Sequence, residues 1–320
     1  LKMIIIFIMF NKKKEITMSN KKTMMQKVAD QVIKAIDEHD TNWLCPWSKQ
    51  GMPKNIRGTY YTGINTFILW CVQDEYGYKS QTYATFNQIK QKGGQVIKGQ
   101  KAHQVVLFTP LTYKAENSQG EEVNKTFPYM KFYNVFNLDQ TTLEDKKIQV
   151  SDGASTLPEV EQYIKNTEAD IRYDNKLYAG RCYYVPELDF IGMVNKDKFN
   201  NLDGSNATEN YYATILHELT HWTGHKSRCD RQEKYKSKFF DDMNKYAFEE
   251  LVAELGAVIQ CSMLGVSMKP TKHACQYLNI WKSRIKADPS VMFRASALAQ
   301  AGVNHILKLQ ENTVKKVVNQ

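Results

Sequence analysis

The run Thr214-Ile-Leu-His217-Glu218-Leu-Thr-His221-Trp-Thr-Gly224-His225 sets two imidazoles and a carboxylate at a spacing that metal chemistry uses. On a helix, residues four apart share one face a turn from each other, so His217 and His221 can direct two ring nitrogens at one cation. Glu218, one position along, is placed to take a proton from a water activated there. A zinc ion that does chemistry needs a third protein ligand and keeps its fourth position open. One possible source is a third histidine six residues after the second, completing H-x-x-G-x-x-H. Gly224 fits that glycine, but Ser227 holds the histidine's slot and His225 falls two residues early. The other source is a glutamate from a later helix, and Phe248-Glu249-Glu250-Leu-Val-Ala-Glu254-Leu-Gly256 offers one. Glu250 is the expected third ligand, with its neighbour Glu249 as the alternative. Glu254, on the same helical face as Glu250, is expected to accept the other N–H of a ligand histidine and fix its tautomer. Zinc is the expected ion, with manganese or another divalent cation compatible with the same donors.

These side chains need elements to hold them. Tyr211, Tyr212, Ile215, Leu216 and Leu219 give the motif a buried, amphipathic helix over 208–223. Burying His217, Glu218 and His221 beside that face without a metal would cost several kcal/mol. The glutamates belong to a second helix over 244–264, and two more helices are expected over 272–286 and 290–309. Upstream, a helix over 159–167 is followed by short strands at 169–173, 181–185 and 189–193. Strands near 181–193 could offer an edge to an extended peptide. The sequence does not identify the group that steadies a developing oxyanion: His225, Arg228 and Tyr246 could reach it, but ion pairing or packing is the expected role of each.

The front of the chain has a different composition. Periodicity predicts a helix over 20–39, from Met24, Val28, Val32 and Ile36, and another over 65–76. Thr85 is expected to cap a short helix that stops at Gly93-Gly94. Strands are expected over 96–109 and 127–138, with 114–126 as a polar hairpin loop. The fold class is therefore α+β, a front half with a small antiparallel sheet and a mainly helical back half with a short sheet. The expected divisions are a domain over 19–140, a polar linker over 141–155, a second domain over 156–310 and a tail over 311–320.

Charge is unevenly spread over the 320 residues. Residues 19–140 carry 15 basic and 10 acidic side chains, whereas 141–320 carry 24 and 23. A basic front half points to an anionic partner, with nucleic acid foremost. Aromatic rings interleaved with cations suit single-stranded DNA, because bases stack on rings while Lys and Arg follow the phosphates. Trp43, Trp47, Tyr60, Tyr61, Tyr83, Tyr129 and Tyr133 are candidate platforms, with Lys54, Arg57, Lys98, Lys101 and Lys131 as cations. The six cysteines show no C-x-x-C pair, so neither a disulfide framework nor a second zinc site is expected, and a reducing cytoplasm is the simplest location. The apolar run over 1–10 is too short to span a bilayer and lacks a cleavage site, so no membrane partner is expected. Residues 1–18 are expected to be an extension, disordered or not native, with Met18 the more natural start. Nothing in the sequence fixes an oligomeric state.

The two halves together resemble the ArdC-type antirestriction proteins of plasmids, phages and mobile elements. In front the resemblance rests on Pro46-Trp47, Pro53-Lys-Asn55, Tyr61-Thr-Gly-Ile-Asn65, Gly93-Gly94-x-Val96-x-Lys98-Gly99 and Val135-Phe-Asn137-x-x-Gln140. Behind, it rests on Tyr212-x-Thr214-x-x-His217-Glu-Leu-Thr-His-Trp-Thr-Gly-His225-x-x-Arg228 and on Glu249-Glu-Leu-Val-Ala-Glu-Leu-Gly256. The resemblance implies an N-terminal domain that binds single-stranded DNA, to whose contact set it adds Asn65. It also implies a C-terminal zincin-like metallopeptidase domain acting on a protein or peptide, and a role in protecting incoming DNA from host restriction. Two alternatives stand beside it: a DNA-binding shield whose metal is structural, and a processing metalloprotease of a mobile element.

Overall fold

The computed structural model describes residues 25–38, 51–116, 121–145, 157–173, 180–202, 205–231, 242–268 and 272–318. The expected extension over 1–18, Trp43, Trp47 and most of the expected linker over 141–155 lie outside the described residues.

Helix α1 (25–38) buries Val28, Val32 and Ile36 along the stripe their four-residue spacing creates. Helix α2 (Ile64–Tyr76) buries Phe67, Leu69 and Trp70, and the indole Nε1 of Trp70 donates to the Gly51 carbonyl at 2.8 Å. A four-stranded sheet follows, with strands β1 (Lys54–Asn55), β2 (Thr82–Ala84), β3 (His103–Glu116) and β4 (Glu122–Asn137) in the order β1-β2-β4-β3. It is not purely antiparallel, because β1 pairs in parallel with β2 over two residues, too short a stretch to leave a sequence pattern. Helix α3 (Phe86–Gln91) starts at Thr85, whose side chain and that of Gln88 cap each other's backbone amides.

The expected polar loop over 114–126 is mostly strand, since β3 and β4 stay in register out to Glu116↔Glu122. Ladder hydrogen bonds and pairs such as Lys114–Glu122, at 2.8 Å, hold this part of the ribbon, so it carries no hydrophobic alternation to read.

In the back half, α4 (Leu157–Lys165) precedes β5 (Asp170–Tyr173), β6 (Tyr183–Val185) and β7 (Phe190–Met193), ordered β5-β7-β6 with β6 antiparallel to the central β7. Among the described residues four long helices follow: α5 (Ala207–Trp222), α6 (Asp242–Leu264), α7 (Lys272–Ala287) and α8 (Ser290–Val318). One apolar cluster runs from Val28, Ile36, Phe67 and Trp70 through Leu216 and Leu255 to Trp281, Ile285 and Val303, joining the halves. A hydrogen bond from the Gly63 amide to Gln300 Oε1, at 3.1 Å, closes the same junction. Among the described residues no helix is long and apolar enough to cross a membrane.

Candidate metal centre

Helix α5 begins at Asn206, whose side chain accepts from the Glu209 amide while the Glu209 carboxylate accepts from the Asn206 amide. Its buried face lies against α6, and the approach is close: a Cβ on Gly256 would meet Thr220 Cγ2 at 2.4 Å. This contact brings the motif of α5 to the glutamates of α6. The ring Nε2 atoms of His217 and His221 lie 3.1 Å apart. Glu250 Oε2 stands 3.6 Å from His217 Nε2, and Oε1 stands 3.4 Å from His221 Nε2. One donor atom from each of the three residues fits within a 4.8 Å group.

The set suits a divalent cation. Two imidazole nitrogens and a carboxylate oxygen converge on one point in the interior. Opposed lone pairs at that distance need a cation or an added proton between them. Burial opposes charge on both rings, yet Glu254 and Glu250 raise His217, and Glu250 with Glu249 raises His221 well above 6.5. Burial likewise opposes charge on Glu250, but the two imidazoles hold its carboxyl well below the usual range.

The rear ring nitrogens also face carboxylates. Glu254 Oε1 lies 3.6 Å from His217 Nδ1, near it but beyond the hydrogen bond expected between them. Glu249, weighed only as an alternative ligand, instead faces His221 Nδ1 at 3.3 Å. It is gripped by the fully buried Arg231, whose Nη2 donates to Glu249 Oε1 at 2.7 Å. Burial raises the Glu249 carboxyl, but Arg231 and His221 outweigh it and bring it down to about 2. Arg231 escaped sequence reasoning because it sits in no periodic pattern, and the one signal near it is Gly224, earlier in the chain. Gly224, which matched the wrong zinc pattern, leaves room for the guanidinium: a Cβ there would meet Arg231 Nη2 at 2.9 Å.

Glu218 is buried, and its charge reaches both ligand rings, Cys182 and Tyr246. Of the three oxyanion candidates, Arg228 is paired with Asp189 and lies 3.9 Å over the Trp222 ring. His225 Nδ1 bonds Ser227 Oγ at 2.8 Å. Tyr246 remains exposed as a residue, with its phenol raised first by desolvation and then by the charge of Glu250.

In the front half, Arg57, Lys98, Lys101 and Lys131 are exposed, as are Tyr60 and Tyr133, while Lys54 is half-buried. Lys131 and Tyr133 share a face of β4. Tyr61 is half-buried and edge-on to Tyr83 at 6.3 Å. Tyr83 cannot serve as a stacking platform: it is fully buried at the sheet's centre, with its hydroxyl donating to the Leu69 carbonyl at 3.2 Å. Asn65 Nδ2 donates to the Val106 carbonyl at 2.7 Å and its Oδ1 accepts from the Val106 amide at 2.8 Å, so it occupies the open edge of β3 as a partner strand would. Trp47 lies outside the described residues.

Comparison with known proteins agrees with both halves. Residues 22–136 match the family model for the N-terminal domain of anti-restriction factor ArdC, and residues 158–298 match a zincin-like metallopeptidase family. The fold and site therefore define an ArdC N-terminal domain joined to a zincin-like metallopeptidase domain. Two crystal structures of the antirestriction ArdC protein from the R388 plasmid superpose on the chain. The metal-free form is 36% identical, with a TM-score of 0.73, covering 90% of this chain and 98% of that one. The Mn(II)-bound form is 34% identical, with a TM-score of 0.68, covering 89% and 97%. The chain belongs to the ArdC antirestriction protein family. It is also 28% identical over 320 residues to a DNA primase TraC of Escherichia coli, matching 94% of this chain but spanning only 28% of that protein's length. A Sinorhizobium fredii protein, y4eC, is 26% identical over 285 residues and is covered for 88% of its length.

Proposed function

We propose that the chain protects the incoming DNA of a mobile element from host restriction in the recipient cytoplasm, binding single strands through its front half and using a divalent-metal hydrolytic centre behind. The observation that carries this reading is the convergence of His217, His221 and Glu250 around one point, with Glu218 between the two histidines on the same helix. A cation held there supplies Lewis acidity and draws the pKa of a bound water toward about 7. Zinc is the working expectation, and the Mn(II)-bound relative supports a site that also accepts manganese. Glu218 takes the water's proton and returns it to the leaving nitrogen of a peptide bond. The edge strand β6 aligns an extended peptide, and Tyr246 donates to its carbonyl oxygen. For DNA, Tyr60 and Tyr133 offer ring faces to bases, while Arg57, Lys98, Lys101 and Lys131 follow phosphates.

One observation favours a second reading, a DNA-binding shield with a structural metal: His217, Glu218 and Glu250 are all buried. The two separate in one experiment. Metal content, single-strand binding and protection against restriction are measured for wild type, Glu218→Gln and His217→Ala/His221→Ala. The catalytic reading expects Glu218→Gln to keep metal and DNA but lose protection. Undiminished protection in that variant establishes the shield, and a wild-type protein that binds no metal removes both readings.

A further inference from the structure

Behind the three ligands stands a buried cation, Arg231, whose side-chain hydrogen bonds to Thr220, Thr223 and Glu249 lead back to the site. Arg231 Nη2 donates to the Thr220 carbonyl at 2.5 Å, and Nη1 donates to Thr223 Oγ1 at 2.7 Å. Its Nε lies 3.2 Å and 3.3 Å from the two oxygens of Glu249. Thr220 precedes a ligand histidine and Thr223 caps the last turn of α5, where a cation meets the negative end of the helix. Glu249 in turn faces His221 Nδ1. One planar fork therefore fixes three things together: the end of the metal helix, the rotamer of Glu249 and the orientation of the His221 ring.

We propose that Arg231 is a positioning residue for the metal, acting through Glu249 to keep the proton of His221 on Nδ1 and its Nε2 lone pair aimed at the ion. This rests on the divalent-metal reading above. A carboxylate fixed behind a ligand imidazole orients the ring and strengthens it as a donor, and loss of such a partner typically weakens metal binding 10–100-fold. The fork matters as well as the charge. A lysine has no planar pair of N–H groups with which to hold Glu249 while also reaching Thr220 and Thr223.

The test uses the full chain with Mn2+ and Co2+ as probes, in wild type, Arg231→Lys, Glu249→Gln and the double variant Arg231→Met/Glu249→Gln, which removes both charges of the pair. Affinity is measured by calorimetry, the geometry of the site by the visible absorption of bound Co2+, and the fold by the melting temperature of the metal-free protein. Arg231→Lys and Glu249→Gln are expected to weaken binding by roughly 10–100-fold and to alter the Co2+ spectrum. The double variant is expected to bind no better than Glu249→Gln alone, because both changes act through the same carboxylate. Folded single variants with wild-type affinity and spectrum overturn the inference while leaving the metal reading intact. A wild type that takes up neither ion removes the metal reading itself.

Discussion

Gly256→Ala should separate ligand geometry from stability. The added methyl would stand 2.4 Å from Thr220 Cγ2 and 2.8 Å from its Oγ1. Ordinary carbon contacts lie at about 3.5–4.0 Å, so the deficit is more than about 1 Å. Thr220 has nowhere to turn: it is buried, its hydroxyl donates to the Leu216 carbonyl at 2.9 Å, and it accepts from Gln260 Nε2 at 2.9 Å. Helices α5 and α6 must then part by about 1 Å beside His221, where a metal site tolerates errors of about 0.2 Å. Overpacking costs about 1–3 kcal/mol, and the better helix propensity of alanine returns about 1. The variant should therefore fold, with a modest drop in melting temperature, but bind Mn2+ at least tenfold more weakly, a loss of about 1.4 kcal/mol. Adding Thr220→Ala removes the two nearest atoms, leaves Cβ at 3.2 Å and should recover affinity. A folded Gly256→Ala protein that binds Mn2+ within twofold of wild type would refute the reasoning.

Three further outcomes are expected. Because Glu250 and Glu249 outweigh burial and raise His221 well above 6.5 in the metal-free chain, cation binding near pH 7 should release protons, and affinity should fall from pH 8 to pH 6. The same raised pKa stabilises the metal-free fold fully below about pH 6.5 and loses that contribution as pH rises through the raised value, so its melting temperature and its metal affinity should trend oppositely; calorimetry in buffers of different ionisation enthalpy, beside a melting series, checks both. The full chain should prefer single-stranded DNA to duplex, with Lys98→Ala and Lys101→Ala each flattening the log–log salt slope by up to about 0.7, and Tyr60→Ala or Tyr133→Ala costing about 1–3 kcal/mol with no change in slope; equal affinity for duplex would discard the stacking account. Asn65→Ala should lower stability by about 1–3 kcal/mol, because it orphans both polar groups of Val106, and leave the salt slope of DNA binding unchanged.

Much of the metal face could be read from spacing alone, because a four-residue interval fixes two side chains on one helical face wherever that helix packs. Spacing cannot choose between Glu249 and Glu250. Adjacent helical residues point about 100° apart, and only the placement of α6 against α5 decides which one meets the Nε2 atoms. Arg231 was invisible because its importance comes from where the fold sets it, beside Gly224, at the end of α5 and against Glu249 of α6, not from any local pattern. In front, helices α1 to α3 follow from periodicity and from Thr85 as a cap. The polar part of the β3–β4 ribbon and the two-residue β1 do not, since hydrogen bonding rather than burial maintains them. Tyr83 looked like a base platform because a three-residue central strand surrounded by polar residues reads as surface.

The apolar cluster shared by the two halves bears on how the chain is made. Gly63 and Gln300, bonded across that junction, are separated by 237 residues. At about 5–20 residues per second, a ribosome reaches the second roughly 12–50 seconds after the first. During that interval α1 and α2 have emerged while α7 and α8, which share one apolar cluster with Phe67 and Trp70, are still unmade. The front half thus reaches its finished packing only when α7 and α8 arrive. A stop codon early in α8 would therefore expose the basic, aromatic half as well as the metal half, leaving a nascent chain that invites chaperones and proteases.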